Sequence, residues 1–252
     1  MAVRKALALV AVMLSGCVTT GDIDPMRTPE GRERARDAFI ELGIGYLERG
    51  STEQAKGPLK QALEIDPKSA NAHMVLALAF QLEMEDALAE QHFKQALSIE
   101  PNNARLLNNY GSFLFEQERY QDAQKSFLKA SEDNMYSERS RVFENLGLTA
   151  LKLNDIEGAK HHFTRALRLN ARQPRALLEM AELAYQEQDF VAARNYYESH
   201  TQLSDHSARS LLLGVRLANV FDDRSKAASL GLQLRRLYPG TVQYQQYLSE
   251  QK

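Results

Sequence analysis

One cysteine, Cys17, and six histidines, His73, His92, His161, His162, His200 and His206, are the side chains of this 252-residue sequence best suited to nucleophilic or metal chemistry. A thiolate attacks carbonyls or binds soft metals, and an imidazole moves protons or ligates zinc, but each needs partners at a set spacing. That spacing is missing. No His-Glu-x-x-His pair occurs, and the adjacent His161 and His162 would project roughly 100° apart on a helix, poor geometry for one ion. There is neither a glycine-rich phosphate loop nor a Gly-x-Ser-x-Gly elbow. The 33 acidic residues are spread along the chain, as on solvated helix faces. Each histidine therefore reads as a surface or packing residue. The expectation is a protein that is not an enzyme and holds no metal and no cofactor.

Cys17 has a context of its own. Residues 1–17 open with Arg4 and Lys5, continue through the apolar run Ala6 to Leu14, and end in Ser15-Gly16-Cys17. A basic start and an apolar run too short to span a bilayer make a secretory signal. Leu14-Ser15-Gly16-Cys17 resembles a bacterial lipobox, which implies cleavage before Cys17 and a covalent lipid on its thiol. The plain alternative is an ordinary signal with an incidental cysteine. A sole cysteine at the end of the apolar run, behind Leu-Ser-Gly, favours the lipobox. At ~0.8 kcal/mol per buried CH2, several acyl chains (palmitate among them) make attachment effectively permanent. Val18 stands where an inner-membrane retention signal carries Asp, which by the same resemblance implies the outer membrane. Loss of Arg4 and Lys5 takes the formal charge from −2 to about −4. Residues 17–35, with Gly21, Pro25, Pro29 and Gly31, read as the acylated cysteine and a flexible tether of r.m.s. span roughly 23 Å. Arg32, Arg34 and Arg36 mark either a helix start or a lipid headgroup contact, with the helix start favoured.

The elements that would position any functional surface come as a repeat. Leu42-Gly43-x-x-Tyr46, Ala55, Leu59, Ala62 and Pro67 set a template that recurs 34 residues on as Leu76-Ala77-x-x-Phe80, Ala89, Phe93, Ala96 and Pro101. It returns as Tyr110-Gly111-x-x-Leu114, Ala123, Phe127 and Ala130. After a two-residue insertion it resumes as Leu146-Gly147-x-x-Ala150, Ala159, Phe163 and Ala166, then Met180-Ala181-x-x-Ala184, Ala193 and Tyr197. A degenerate copy ends the series with Ala218, Ala227, Leu234 and Pro239. This pattern resembles the tetratricopeptide repeat. The fold class expected is all-α, a right-handed superhelix of six helix-turn-helix repeats over 36–69, 70–103, 104–137, 140–173, 174–207 and 208–241. Signal residues 1–16 precede it and a capping helix over 242–252 follows.

Glycine inside a helix costs ~1 kcal/mol against alanine, so Gly43, Gly111 and Gly147 at one phase signal close helix crossings, facing Ala55, Ala123 and Ala159. Phe93, Phe127, Phe163 and Tyr197 fill the layers between repeats. His73, Leu107, Leu177 and Leu211 stand where the family often has Trp, and Gly231 replaces an aromatic in the last repeat. Gly and Pro, 13 and 7 residues, are too few for collagen or a strand-and-turn sandwich. Mean hydropathy of −0.44 excludes a polytopic membrane protein. The near balance of 31 basic and 33 acidic residues leaves no field to recruit nucleic acid.

Tetratricopeptide arrays bind partners on the concave face of their first helices. Ile40, Ile44 and Leu47 form an i, i+4, i+7 stripe there in the first repeat, and Met74, Leu78 and Leu82 continue it in the second. The expectation is an apolar, protein-binding groove; the alternative is that the N-terminal linker or a neighbouring element covers it. Ile40 and Ile44 occupy phases where chaperone-binding members hold a C-terminal carboxylate, so that ligand is not expected.

Taken end to end, the chain resembles the PilF/PilW family of type IV pilus pilotin lipoproteins. Three segments outside the repeat consensus carry the likeness. They are Glu138-Arg139-Ser140-Arg141-Val142-Phe143-Glu144-Asn145-Leu146-Gly147, Ala208-Arg209-Ser210-Leu211-Leu212-Leu213-Gly214, and Leu234-Arg235-Arg236-Leu237-Tyr238-Pro239-Gly240. The resemblance implies a monomeric lipoprotein on the periplasmic face of the outer membrane, anchored through Cys17. It would bind secretin subunits of the type IV pilus, promote their localisation and multimerisation, and so support twitching motility. The alternative is an adaptor for another periplasmic complex, such as peptidoglycan hydrolases.

Overall fold

A computed structural model describes residues 25–251. Among these residues every regular element is helical: a short 3-10 turn, Pro25–Arg27, and thirteen α-helices. They fall into two compact units that divide after Ile99. The first holds α1 (Pro29–Glu48), α2 (Thr52–Ile65), α3 (Ala70–Leu82) and α4 (Asp86–Ile99). The second holds α5 (Ala104–Glu116), α6 (Tyr120–Ser131), α7 (Arg139–Lys152), α8 (Ile156–Leu169), α9 (Pro174–Gln186) and α10 (Phe190–Thr201). It continues with α11 (Ala208–Val220), α12 (Arg224–Leu237) and α13 (Val242–Glu250). Consecutive helices pair as antiparallel hairpins, the six-repeat tetratricopeptide arrangement that the 34-residue period predicts.

The starts and stops are chemical. Thr28 accepts the Gly31 N–H at 3.0 Å and Pro29 takes the first helical position. Helix α1 therefore begins seven residues ahead of the repeat boundary, and the tether expected over 17–35 is corrected to end before it. Arg32, Arg34 and Arg36 therefore lie inside α1 rather than at its start, and Arg36 pairs with Asp37 and Asp66. Ser69, Asn103, Asp155, Asp189, Asp223 and Thr241 cap later helices in the same manner, and Ser207 and Ser210 form a reciprocal capping box.

Each hairpin turns through one left-handed residue: Gly50, Met84, Glu118, Asn154, Gln188 and Asp222. The N–H after each reaches back to the first helix, as Glu85 to Phe80 O and Asp189 to Ala184 O, both at 2.9 Å. Packing follows the small residues. A methyl group on Gly43 would lie 2.6 Å from Leu59 Cγ, and on Gly111 and Gly147 within 2.7 and 2.5 Å of the Phe127 and Phe163 rings. The side chain pressed on each glycine thus stands one turn beyond the alanine expected there. In the last repeat Tyr247 of α13 presses on Gly231, so the missing aromatic is supplied by the cap.

Candidate partner-binding surface

In the first unit, the six residues of the expected stripe separate into three environments. Ile40 and Met74 are only 2% and 4% exposed, so both are withdrawn from the candidate surface. The reason is periodicity: each lies three residues before a buried crossing position, Gly43 or Ala77, and shares its face. Helix α3 is buried nearly all round because α1, α2 and α4 all pack on it. Ile44, Leu47 and Leu78 are half-buried, and Leu82 is 61% exposed. Leu42, which opens the repeat template, is 48% exposed, while Leu76, Leu146 and Met180 at its repeat phase are buried. Helices α3, α7 and α9 lean on the second helix of a preceding repeat; α1 has none before it. Of the expected stripe, Leu82 and the edges of Ile44, Leu47 and Leu78 remain accessible, and Leu42 adds exposed apolar area on α1.

His73, His92 and His200 behave as packing residues, and His161 is exposed. His92 stacks on Phe80, and the Nδ1 atoms of His73 and His92 lie 3.0 Å apart. One ring nitrogen must then accept from the other, and burial followed by the charge of His73 holds the His92 pKa down. His200 Nδ1 lies 2.8 Å from Pro174 O. Among the described residues no group of three or more His, Cys, Asp or Glu side chains could hold a metal.

In the second unit the first helices α5, α7, α9 and α11 pack side by side, and they present polar chemistry that the apolar-stripe reading missed. Asn145 donates to Asn108 Oδ1 at 3.1 Å. Arg209 donates to both carboxylate oxygens of Glu179, at 2.9 and 3.0 Å, and to Glu182 at 2.6 Å. Those bonds raise the Arg209 pKa, Glu179 first. Glu144 accepts the Ala176 N–H at 3.3 Å, and burial raises its pKa. A cleft of about 230 Å3 opens between Ser112, Phe115 and Glu116 on α5, Asn145 and Leu148 on α7, and Arg175 on α9. The signal was in the sequence: Arg105, Arg141, Arg175 and Arg209 share one repeat phase. Cys17 lies outside the described residues, and among those described no helix is long and apolar enough to cross a membrane.

Comparison with known proteins bears on the whole chain. Residues 92–125 and 145–208 match the tetratricopeptide repeat family. The sequence is 57% identical over 251 residues to the type IV pilus assembly protein PilF of Pseudomonas aeruginosa, covering 99% of this chain and 100% of that one. A solved structure of Pseudomonas aeruginosa PilF superposes with a TM-score of 0.86, covering 87% of this chain and 99% of that one. That of PilW, a type IV pilus biogenesis factor, superposes at 0.73 with 27% identity, covering 84% and 98%.

Proposed function

The chain belongs to the PilF family of tetratricopeptide type IV pilus biogenesis proteins, and on that premise we propose that it is a pilotin, a non-catalytic scaffold that binds secretin subunits at the outer membrane. The observation that carries this reading is the 57% identity running the full length of both chains, rather than through the repeat consensus alone. The lipobox-like Leu14-Ser15-Gly16-Cys17 supplies the anchor in this reading, with an acylated Cys17 as the sole covalent attachment. Confinement to a membrane surface raises the effective concentration of captured subunits and so promotes multimers. Leu42, Ile44, Leu47, Leu78 and Leu82 carry exposed or half-buried apolar area on α1 and α3 that a partner helix or strand would cover in this reading. The test is co-purification from detergent extracts together with the multimer state of the secretin. The pilotin reading requires secretin to be retained, and its multimers to be lost on deletion. A deletion strain with normal secretin multimers and a cell-shape defect would instead mark an adaptor for a peptidoglycan-remodelling complex.

A further inference from the structure

A repeat protein shows one side-chain phase in several settings, and the arginine phase of the second unit is informative. Arg209 is held by Glu179 and Glu182 of the preceding repeat. Thirty-four residues earlier, Arg175 meets Asn145 and Leu148 at the corresponding positions. The two carboxylates are replaced by an amide and a hydrocarbon. Among the described residues Arg175 makes no ion pair and no hydrogen bond. Glu144 is the carboxylate that feels its charge, and Glu144 is engaged with the Ala176 N–H. Arg175 lines the cleft together with Phe115 and Leu148, and on its other side a groove with Arg141 and Glu144.

We propose that this cleft docks an extended segment of a partner protein through an Asp or Glu side chain. Its carboxylate takes the position relative to Arg175 that Glu179 and Glu182 take relative to Arg209, and a neighbouring apolar residue lies on Phe115. An arginine fork matches a carboxylate in two parallel bonds, the geometry already present at Arg209 and Glu179. The volume of about 230 Å3 falls below the ~300–1,000 Å3 of drug-sized sites, which suits one or two side chains of a passing segment. This site lies in the third to fifth repeats and does not depend on the pilotin reading.

The test uses full-length protein, detergent-solubilised and immobilised through its C-terminus. The probes are two pools of acetylated, amidated heptapeptides with randomised flanks, one with a central Asp or Glu and one with Asn or Gln. We expect the acidic pool to be retained at least tenfold over the amide pool. Both Arg175→Gln, an exposed change that should leave the circular dichroism melt unchanged, and Asn145→Glu, which supplies the fifth repeat's carboxylate internally, should remove that preference. Equal retention of the two pools by the wild type overturns the proposal, as does a preference that survives Arg175→Gln. A third pool, whose sole carboxylate is a free C-terminus, distinguishes the source: its retention above the acidic pool overturns the side-chain assignment.

Discussion

Tyr247 in α13 stands so close to Gly231 in α12 that a methyl group on the glycine would come within 2.7 Å of the ring's Cζ. The terminal helix thus does for the last repeat what Phe127 and Phe163 do at Gly111 and Gly147, and it covers Leu230 and Leu234 as an end cap must. Gly231→Ala should destabilise the second unit by about 1 kcal/mol, the overpacking cost less the helix propensity gained. In a Tyr247→Ala background the same change should become neutral or stabilising. A double-mutant cycle by urea denaturation measures the coupling, and additive effects would contradict the contact.

Among the described residues, five non-glycine positions are left-handed and strained. Met84, at φ 60° and exposed, packs against little, so Met84→Gly should relieve ~1 kcal/mol of strain. Part of that gain is offset by added freedom in the unfolded chain, leaving a net increase of about 0.5 kcal/mol. Gly50→Ala, at φ 73°, should cost about 1 kcal/mol. Guanidinium melts of the pair give opposite signs if the turns are as described.

The pattern of small residues made the helix pairs legible, because a glycine tolerated inside a helix reports a close crossing. The fate of Ile40 and Leu42 was harder to read. Both are apolar and two residues apart on α1, and which one is buried depends on a neighbour: Leu76 at the Leu42 phase is covered by the repeat before it, and Leu42 has none. The cleft at Arg175 was hidden for another reason. An arginine's pairing is decided by residues 27 and 30 positions earlier, and composition or helix periodicity does not sample that separation.

That burial difference separates two substitutions. Ile40→Asp places an unpaired carboxylate in the core of the first unit and should cost more than ~3 kcal/mol. Leu82→Glu, on an exposed side chain, should alter stability by less than ~0.5 kcal/mol. On the pilotin reading Leu82→Glu weakens secretin capture while the protein remains folded. Thermal melts and co-purification of the two variants, side by side, distinguish loss of fold from loss of surface.

Acidification should weaken the fold. Burial lowers the pKa values of His92, His162 and His206 in the folded state, so the unfolded chain binds protons first as the pH falls. Their contribution is complete above the unfolded value of about 6.5 and is lost as the pH drops through the lower folded values. Glu144, raised by burial, acts in the opposite sense: its contribution is complete below the ordinary carboxylate value and is lost as the pH rises through the elevated one. At pH between about 7.5 and 5.5 the three histidines outnumber it, and Tm should fall. His162 Nδ1 is buried without a partner and its ring stacks on Phe143. His162→Phe should therefore keep the packing and flatten the pH dependence of Tm. An unchanged slope in that variant would place the titration elsewhere.

Arg209 and Arg175 share a repeat phase but should differ in what their removal costs. Arg209→Gln leaves Glu179, a buried carboxylate, without its two guanidinium bonds. A fully buried broken pair costs ~3–5 kcal/mol. Arg209 is itself partly exposed, so solvent screening reduces the expected loss to about 1–2 kcal/mol. Arg175→Gln removes no ion pair and should stay within about 0.5 kcal/mol of the parent. Urea denaturation of the two variants under identical salt gives the comparison directly. A loss at Arg175 equal to that at Arg209 would mean that Arg175 has a carboxylate partner within the chain, and the cleft would then lack its unpaired cation.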